Sequence, residues 1–186
     1  LERLPSVQRR LSDQLRVITG LPRPDRWIEV RPGVLGELVG ACRRDCQVVI
    51  DTGFSIEPDL AGDLGRAERN ALTREALELA DDLVVVGGAD PVGLARLVRA
   101  ISEARELVPE VPLRIVVNRM RPTLGWRESD VVAMLANFDT GLGVHFLPED
   151  QAAVDRAVVA GRLLVESGDS PLARSFGALL DTMVRA

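Results

Sequence analysis

Asp51 directly follows the apolar run Val48–Ile50, and its carboxylate is the first side chain with the right type and position for chemistry. An apolar strand that ends in aspartate is the Walker B pattern, in which the carboxylate holds Mg²⁺, usually through a water, beside nucleotide phosphates. Asp51 is therefore the candidate catalytic and metal-binding residue. The structural alternative is a turn, because aspartate also commonly caps the turn after a strand.

Asn118 and Arg119 follow another apolar run, Ile115–Val117. The side-chain amide of Asn118 offers both a donor and an acceptor, which suits the edge of a purine base. The structural alternative is an asparagine in an ordinary turn at the end of a strand.

Pro148, Glu149 and Asp150 follow a third apolar segment and precede a stretch with helical spacing. The physical role that this position favours for the two carboxylates is to cap the helix and to complement its dipole.

Five short apolar runs predict the strands that would position these segments. The runs are rich in Val, Ile and Leu, and most do not alternate with polar residues, which is typical of strands buried on both faces of a parallel sheet. They are Leu15–Thr19, Gln47–Asp51, Leu83–Val86, Leu113–Val117 and Gly143–Leu147. We therefore predict a single α/β domain over residues 1–186, in which a mostly parallel sheet is flanked by helices.

Helical spacing separates these runs. Asp90-Pro91 and Ser170-Pro171 each have the form of an N-cap followed by proline in the first helical turn. Further helices are predicted at about residues 33–44, 68–80, 128–137 and 150–160. A stripe at Leu1, Leu4, Val7, Leu11 and Leu15 predicts an amphipathic helix at the start.

The composition excludes several classes of function. The net charge of -5 argues against a protein that coats nucleic acid by bulk charge, and no apolar run reaches the roughly 20 residues of a membrane helix. Two cysteines favour a reducing cytoplasm over a disulfide framework. All 23 basic residues are arginine, which excludes lysine Schiff bases and the lysine of a phosphate-binding loop.

Taken in order and spacing, these motifs resemble the MinD/ParA family of P-loop ATPases, including its CpaE-like members. The likeness extends over most of the chain, from about Leu15 to Met183. The C-terminal part of the chain resembles the last two helices of that family. The resemblance implies a P-loop NTPase-like sheet and an ATP-bound homodimer that sandwiches two nucleotides. It further implies that ATP hydrolysis releases the dimer from a membrane, a nucleoid or a pilus-assembly partner.

The resemblance also implies roles for the motif residues. Asp51 would be the Walker B aspartate that places Mg²⁺, and the segment from Thr52 to about Pro58 would be the switch that senses the γ-phosphate. Asn118 would contact adenine with Arg119 beside it, and Pro148, Glu149 and Asp150 would line the adenine pocket.

The chain departs from the family in one decisive feature. No segment has the form Gly-x-x-x-x-Gly-Lys-Ser/Thr, the loop that binds the phosphates, and the chain contains no lysine. Together with the start at Leu1, this predicts the C-terminal part of a longer ATPase domain whose P-loop strand lies upstream. Alone, this chain is expected to hydrolyse ATP poorly or not at all.

Two other functions remain open from the residues. The first is a non-catalytic regulatory or scaffold module of the same fold, which would use a sheet edge and arginine-rich loops to bind a protein. The second is a phospho-receiver domain with Asp51 at a strand end, which is disfavoured because such domains need a later lysine.

The remaining candidates have structural interpretations. Cys42 and Cys46 are read as buried apolar thiols rather than zinc ligands, and His145 as a strand histidine. Gly87-Gly88 is read as a turn. The acidic residues Glu57, Asp59 and Asp63 are read as a solvated loop.

A loop with three arginines, Arg23, Arg26 and Arg31, surrounds Trp27 and offers a weak candidate for nucleic-acid contact.

Overall fold

The computed structural model describes residues 4–21, 23–57, 68–138 and 141–184. Backbone contacts divide the chain into two compact units, residues 1–80 and residues 81–186. Each unit has its own buried apolar residues. The prediction of one domain over residues 1–186 stays a prediction.

The first unit is built around a pair of helices. Its core contains Val39 and Ala41 on the first of them and Ala76 and Leu77 on the second. The Gly36 N–H also donates to Glu75 Oε1 at 2.9 Å, which ties the two helices together. The elements of this unit are α1 (Leu4–Val7), β1 (Arg9–Arg10), β2 (Arg16–Val17), a 3-10 turn (Pro24–Glu29), α2 (Val34–Cys42) and α3 (Ala71–Glu78).

The predicted parallel strand over Leu15–Thr19 is wrong. Only β2 forms there, and it pairs antiparallel with β1. The reason is a local turn: the Leu11 N–H donates to the carbonyl of Leu15 at 2.9 Å, and Ser12 Oγ accepts from the Leu15 N–H at 3.1 Å. The same turn ends the predicted N-terminal amphipathic helix, which is helical in the described residues only over Leu4–Val7.

The predicted strand over Gln47–Asp51 is also wrong. The segment forms no strand, and the Val49 side chain is 94% exposed. An isolated extended segment has no ladder of hydrogen bonds to hold it, and no described strand of the first unit pairs with this one. Asp51 therefore follows an irregular segment rather than a strand.

The second unit contains a three-stranded parallel sheet in the order β3-β4-β5. The strands are β3 (Leu83–Gly88), β4 (Leu113–Met120) and β5 (Val144–Pro148). This confirms three of the five predicted strands and, for residues 81–186, the predicted α/β class with a parallel sheet flanked by helices. Residues 113–117 are all buried, as expected for the central strand.

The described residues of the second unit also form four α-helices. Asp90 and Asp150 accept hydrogen bonds from backbone N–H groups in the first turns of two of them, and Ser170 does the same for the last, which confirms the predicted caps. The helices are α4 (Pro91–Leu107), α5 (Glu128–Leu135), α6 (Gln151–Ala160) and α7 (Pro171–Val184). Among the described residues, no helix combines the length and the apolar character needed to cross a membrane.

Helix α4 packs closely on β3 because glycines leave room for it. A Cβ atom added at Gly87 would lie 2.6 Å from the Cβ of Leu97, and one added at Gly93 would lie 2.4 Å from the carbonyl oxygen of Gly88. Gly87 and Gly88 belong to β3, so the turn predicted for them is wrong. The absence of side chains at these glycines lets the helix approach the strand closely.

Helix α7 covers the other face of the sheet. Leu172 and Leu179 of this helix form one buried cluster with Val116 of β4 and Leu147 of β5. Leu164 and Met183 pack against the cluster and extend it toward solvent. The apolar spacing after Ser170-Pro171 therefore corresponds to a helix face that is buried on the sheet.

Arg114 is a buried charge within the central strand. Its side chain is 2% exposed, its Nε donates to Asp82 Oδ2 at 3.0 Å, and its Nη1 donates to Thr182 Oγ1 at 3.2 Å. The guanidinium thus connects the residue before β3, the start of β4 and the end of α7. The sequence pattern predicts a strand rich in apolar residues here and gives no sign of this ion pair.

We expect Asp82→Ala to lower the free energy of unfolding by about 3 kcal/mol, because it leaves the Arg114 charge buried without its partner. Chemical denaturation followed by circular dichroism measures this. Glu110→Ala removes an exposed carboxylate and should change the value by less than about 0.5 kcal/mol. The double variant Asp82→Ala/Arg114→Met should recover most of the loss, and equal stabilities of all four proteins would contradict the ion pair's role.

Candidate functional site

The carboxyl ends of the three parallel strands meet at one edge of the sheet, and polar residues follow each of them. Gly88 pairs with Asn118, and Met120 pairs with Pro148. The Ala89 N–H donates to the carbonyl of Asn118 at 2.9 Å, and the Glu149 N–H donates to that of Met120, also at 2.9 Å. Strand pairing therefore brings Asn118, Arg119 and Pro148–Asp150 to one edge of this sheet, while their binding roles stay predictions.

Strand β4 carries one extra residue at this edge. Between the pairs Val117–Phe146 and Met120–Pro148, β4 advances three residues while β5 advances two. Arg119 lies within this bulge with φ of 60°, the only non-glycine residue with a positive φ in the described part of the chain. Bulges and left-handed non-glycine residues are both enriched at functional sites, because they redirect side chains.

The Asn118 side chain holds the bulge. Its Oδ1 accepts a hydrogen bond from the Arg119 backbone N–H at 2.8 Å. Within the described residues its amide nitrogen makes no hydrogen bond, so two N–H donors remain for a ligand. This changes the predicted donor–acceptor role, since Asn118 presents chiefly donors.

The two carboxylates after β5 have different roles. Asp150 caps α6, because its Oδ1 accepts from the Ala153 N–H at 3.1 Å, whereas its Oδ2 is buried and accepts no hydrogen bond from the described residues. Glu149 does not cap the helix; its Oε2 lies 3.3 Å from Arg121 Nε. The capping prediction is thus confirmed for Asp150, and an unused acceptor lies beside the turn.

Asp90 caps α4 at the same edge. Its Oδ1 accepts from the N–H groups of Val92 at 3.1 Å and Gly93 at 3.0 Å. The hydrogen bond from Gly93 is the main reason that the pKa of Asp90 is lowered, and the bond from Val92 and the charge of Arg121 act in the same direction. The carboxylate therefore stays ionised and adds negative charge beside the strand ends.

An open groove of about 390 Å³ lies where β4 and β5 end. Its apolar surface comes from Met120, Pro122, Pro148 and the indole of Trp126, and its charged side chains are Arg121, Arg127 and Glu128. Small-molecule sites likewise combine apolar walls with a few polar groups, although this groove is open to solvent rather than enclosed.

The wall of the groove is a short connection between β4 and α5. A 3-10 turn (Pro122–Leu124) leads to Gly125, which has φ of 79° and reverses the chain so that Trp126 directly precedes the N-cap Arg127. The half-buried Trp126 has a buried Nε1 that makes no hydrogen bond with the described residues.

Sequence analysis missed Trp126, Arg121 and Arg127 as site residues. The available signal was an aromatic residue after Pro-x-x-Gly, at the carboxyl end of a predicted parallel strand and just before a helix.

Asp51, the predicted catalytic and metal-binding residue, belongs to the first unit. It is exposed and lies in the irregular segment that follows Ile50. The described residues contain no group of three or more His, Cys, Asp or Glu side chains arranged to hold a metal ion. The assignment of Mg²⁺ to Asp51 therefore stays a prediction.

The remaining candidates are accounted for as follows. Cys42 is half-buried, but Cys46 is exposed, so its interpretation as a buried thiol is wrong. His145 is a strand histidine in β5, paired with Val116, as predicted. Glu57 is exposed, and Asp59 and Asp63 lie outside the described residues.

Comparison with known proteins found no matching family model, no matching curated protein and no matching solved structure.

Acidification tests the cap at Asp90. A lowered pKa in the folded state means that the carboxylate contributes its full stabilisation above the unfolded-state pKa and loses it as the pH falls through the folded-state pKa. Asp90→Asn keeps a capping oxygen without the charge. We expect wild type to be the more stable protein at about pH 6, and the difference to shrink steadily toward about pH 2. Denaturation at a series of pH values measures this, and a constant difference would contradict it.

Proposed function

We propose that residues 81–186 form the purine-binding part of an ATP-dependent switch ATPase, similar to MinD/ParA proteins, that acts in cellular positioning, partition or assembly. The observation that carries the proposal is the edge of the parallel sheet, where Asn118 has unused donors and Asp150 has an unused acceptor. Strand pairing brings both residues to the same edge, beside Pro148.

The chemistry of these groups suits adenine. The ring nitrogens of adenine accept hydrogen bonds and its exocyclic amine donates them. Asn118 can donate through its amide nitrogen, and Asp150 can accept through Oδ2. The half-buried Pro148 supplies an apolar surface for the ring. The Arg119 guanidinium is exposed on the same bulge and can offer positive charge to phosphates.

Binding of Mg²⁺ and of the phosphates requires groups beyond those that hold the base. Asp51, in the first unit, has an exposed carboxylate, a hard oxygen ligand of the kind that Mg²⁺ prefers. No lysine is present among these 186 residues to bind the phosphates, so this chain supplies no lysine of a phosphate-binding loop. In this proposal the chain alone binds nucleotide without efficient hydrolysis.

The switch itself would operate through dimerisation. ATP would bridge two copies into a homodimer, and hydrolysis would release a protein partner, in the cytoplasm. Net negative charge disfavours nucleic acid as the main partner.

Substitution of Asn118 separates its two roles. Asn118→Asp keeps an oxygen for the Arg119 N–H but removes both donors, so we expect it to weaken ATP binding about tenfold while preserving stability. Asn118→Ala removes the bulge contact as well and should lower both affinity and stability. Calorimetric titration with ATP and Mg²⁺, together with thermal denaturation, measures both quantities.

Arg99→Ala, an exposed change on α4, serves as the control and should leave ATP binding unchanged. Wild-type affinity in Asn118→Asp would remove the amide from the proposed site.

Asp51 is tested by ATP hydrolysis, measured on a protein in which this chain is combined with a lysine-containing phosphate-binding loop. We expect Asp51→Ala to lower the rate of Mg²⁺-dependent ATP hydrolysis by about a hundredfold or more, because the metal would lose its anchoring carboxylate. Asp45→Ala removes another exposed aspartate of the first unit and should have little effect. Normal turnover in Asp51→Ala would retire the Walker B assignment.

A specific observation also favours the non-catalytic scaffold as a second candidate. Strand β3 is an edge strand of the described sheet, and its Val84 and Val86 side chains are exposed. Such an edge can pair with a segment of another protein. Under this alternative, partner binding would not depend on ATP, and the Asn118 substitutions would leave it unchanged.

A further inference from the structure

The end of helix α2 carries the two cysteines of the chain, Cys42 and Cys46. Cys42 is the last residue of α2 and is half-buried, whereas Cys46 is exposed just after the helix. Both are free thiols. The proposed function assigns no role to either of them.

The backbone between the cysteines brings the two thiols together. The N–H groups of Asp45 and Cys46 both donate to the carbonyl of Cys42 at 3.1 Å, so the chain makes one helical turn between the two cysteines. The Cys46 thiol points back along this turn, because its Sγ donates to the same carbonyl oxygen at 3.2 Å. Side chains four residues apart on such a turn have Cβ atoms about 5–6 Å apart. The turn therefore holds the two thiols as neighbours.

This separation comes close to the geometry of a disulfide. A disulfide needs Cβ atoms about 3.5–4.5 Å apart and Cα atoms within about 7 Å. The Cα atoms of residues four apart in a helical turn are about 6 Å apart, so only the side chains and the local backbone must move. Residues 47–51 belong to no helix or strand, so this movement disrupts no strand pairing.

A disulfide formed under this constraint is strained. Strained disulfides are reduced more readily than structural ones, and those that form in a reducing compartment are mostly transient. The cysteine pair is therefore suited to reversible oxidation rather than to a permanent cross-link.

We propose that Cys42 and Cys46 form a reversible intramolecular disulfide, with a low-molecular-weight disulfide such as glutathione disulfide as the oxidant. The exposed Cys46 reacts first: its thiolate attacks one sulfur of the oxidant, forms a mixed disulfide and releases one glutathione thiolate. The thiolate of Cys42 then attacks the Cys46 sulfur and releases the second glutathione. The protein loses two electrons and two protons, and the oxidant takes up both to become two molecules of glutathione.

The ring closed by this disulfide touches two features of the first unit. Arg43 lies inside the ring, and its guanidinium donates to the carbonyl of Leu79, just after α3. The irregular segment Gln47–Asp51 follows the ring directly. Because closure moves the backbone between these two points, oxidation alters both the contact of α2 with α3 and the start of this segment.

Thiol counting and mass spectrometry of the full chain test the proposal. The reduced protein has two thiols, and after equilibration with excess glutathione disulfide it should have none and run as a monomer lighter by two hydrogen atoms. Excess reduced glutathione should restore both thiols. Trypsin cuts after Arg43 and Arg44, so the disulfide should join two peptides that are otherwise separate.

The matched controls are Cys42→Ser and Cys46→Ser, each of which keeps one thiol. Cys42→Ser should stop at the mixed disulfide, heavier by one glutathione, because no second thiol displaces it. Cys46→Ser leaves only the half-buried thiol and should react more slowly than wild type. Thermal denaturation shows whether each variant is folded, and the result for the wild-type protein does not depend on the variants.

The structural consequence has its own readout. In ¹⁵N-labelled protein, the amide signals of Arg43 and Gln47–Asp51 should differ between the reduced and the oxidised monomer. Unchanged signals would overturn the effect of the ring on its neighbours.

The wild-type products decide the proposal itself. A monomer that loses both thiols to excess oxidant and regains them on reduction, with the two tryptic peptides joined, supports it. Stable glutathione adducts, a disulfide-linked dimer or two thiols that persist in excess oxidant would each overturn it. None of these results depends on ATP binding, so the proposed function stands or falls separately.

Discussion

The extra residue in β4 is the constraint on which the candidate site depends. A regular strand would continue its pairing with β5 past Val117, but the bulge puts Arg119 into the left-handed region and changes the register before Met120 meets Pro148. The Asn118 amide oxygen holds this arrangement through the Arg119 N–H. Because one side chain both shapes the backbone and offers donors to a ligand, geometry and binding are coupled at this position.

The sheet around the bulge is closely packed on both faces. Residues 113–117 are buried, α4 approaches β3 through Gly87 and Gly93, and α7 closes the opposite face through Leu172 and Leu179. Arg114 then joins β4 to α7 through Thr182. A strained strand end persists only where its surroundings hold it, and here close packing on both faces does so.

Local patterns predicted much of the second unit. Asp90-Pro91, Ser170-Pro171 and Asp150 marked helix starts because capping depends on neighbouring residues alone. The strand runs at Leu83, Leu113 and Gly143 were recognised by their continuous apolar character. The same pattern failed at Gln47–Asp51, because an apolar run becomes a strand only when another strand supplies its hydrogen bonds. The turn at Ser12 likewise overrode the stripe that predicted an N-terminal helix.

The amino-acid sequence alone determined the parallel α/β character of residues 81–186, the helix caps and the meeting of Asn118 with Pro148–Asp150 at one edge, since parallel strands align their carboxyl ends. Only the tertiary structure decided three features. The side-chain oxygen of Asn118 accepts a hydrogen bond from the Arg119 N–H within the bulge, Arg114 is a buried ion-pair partner, and Trp126 lines a groove. These features arise from register, burial and the path of a loop. Each of those depends on residues distant in the chain, so no local spacing encodes them.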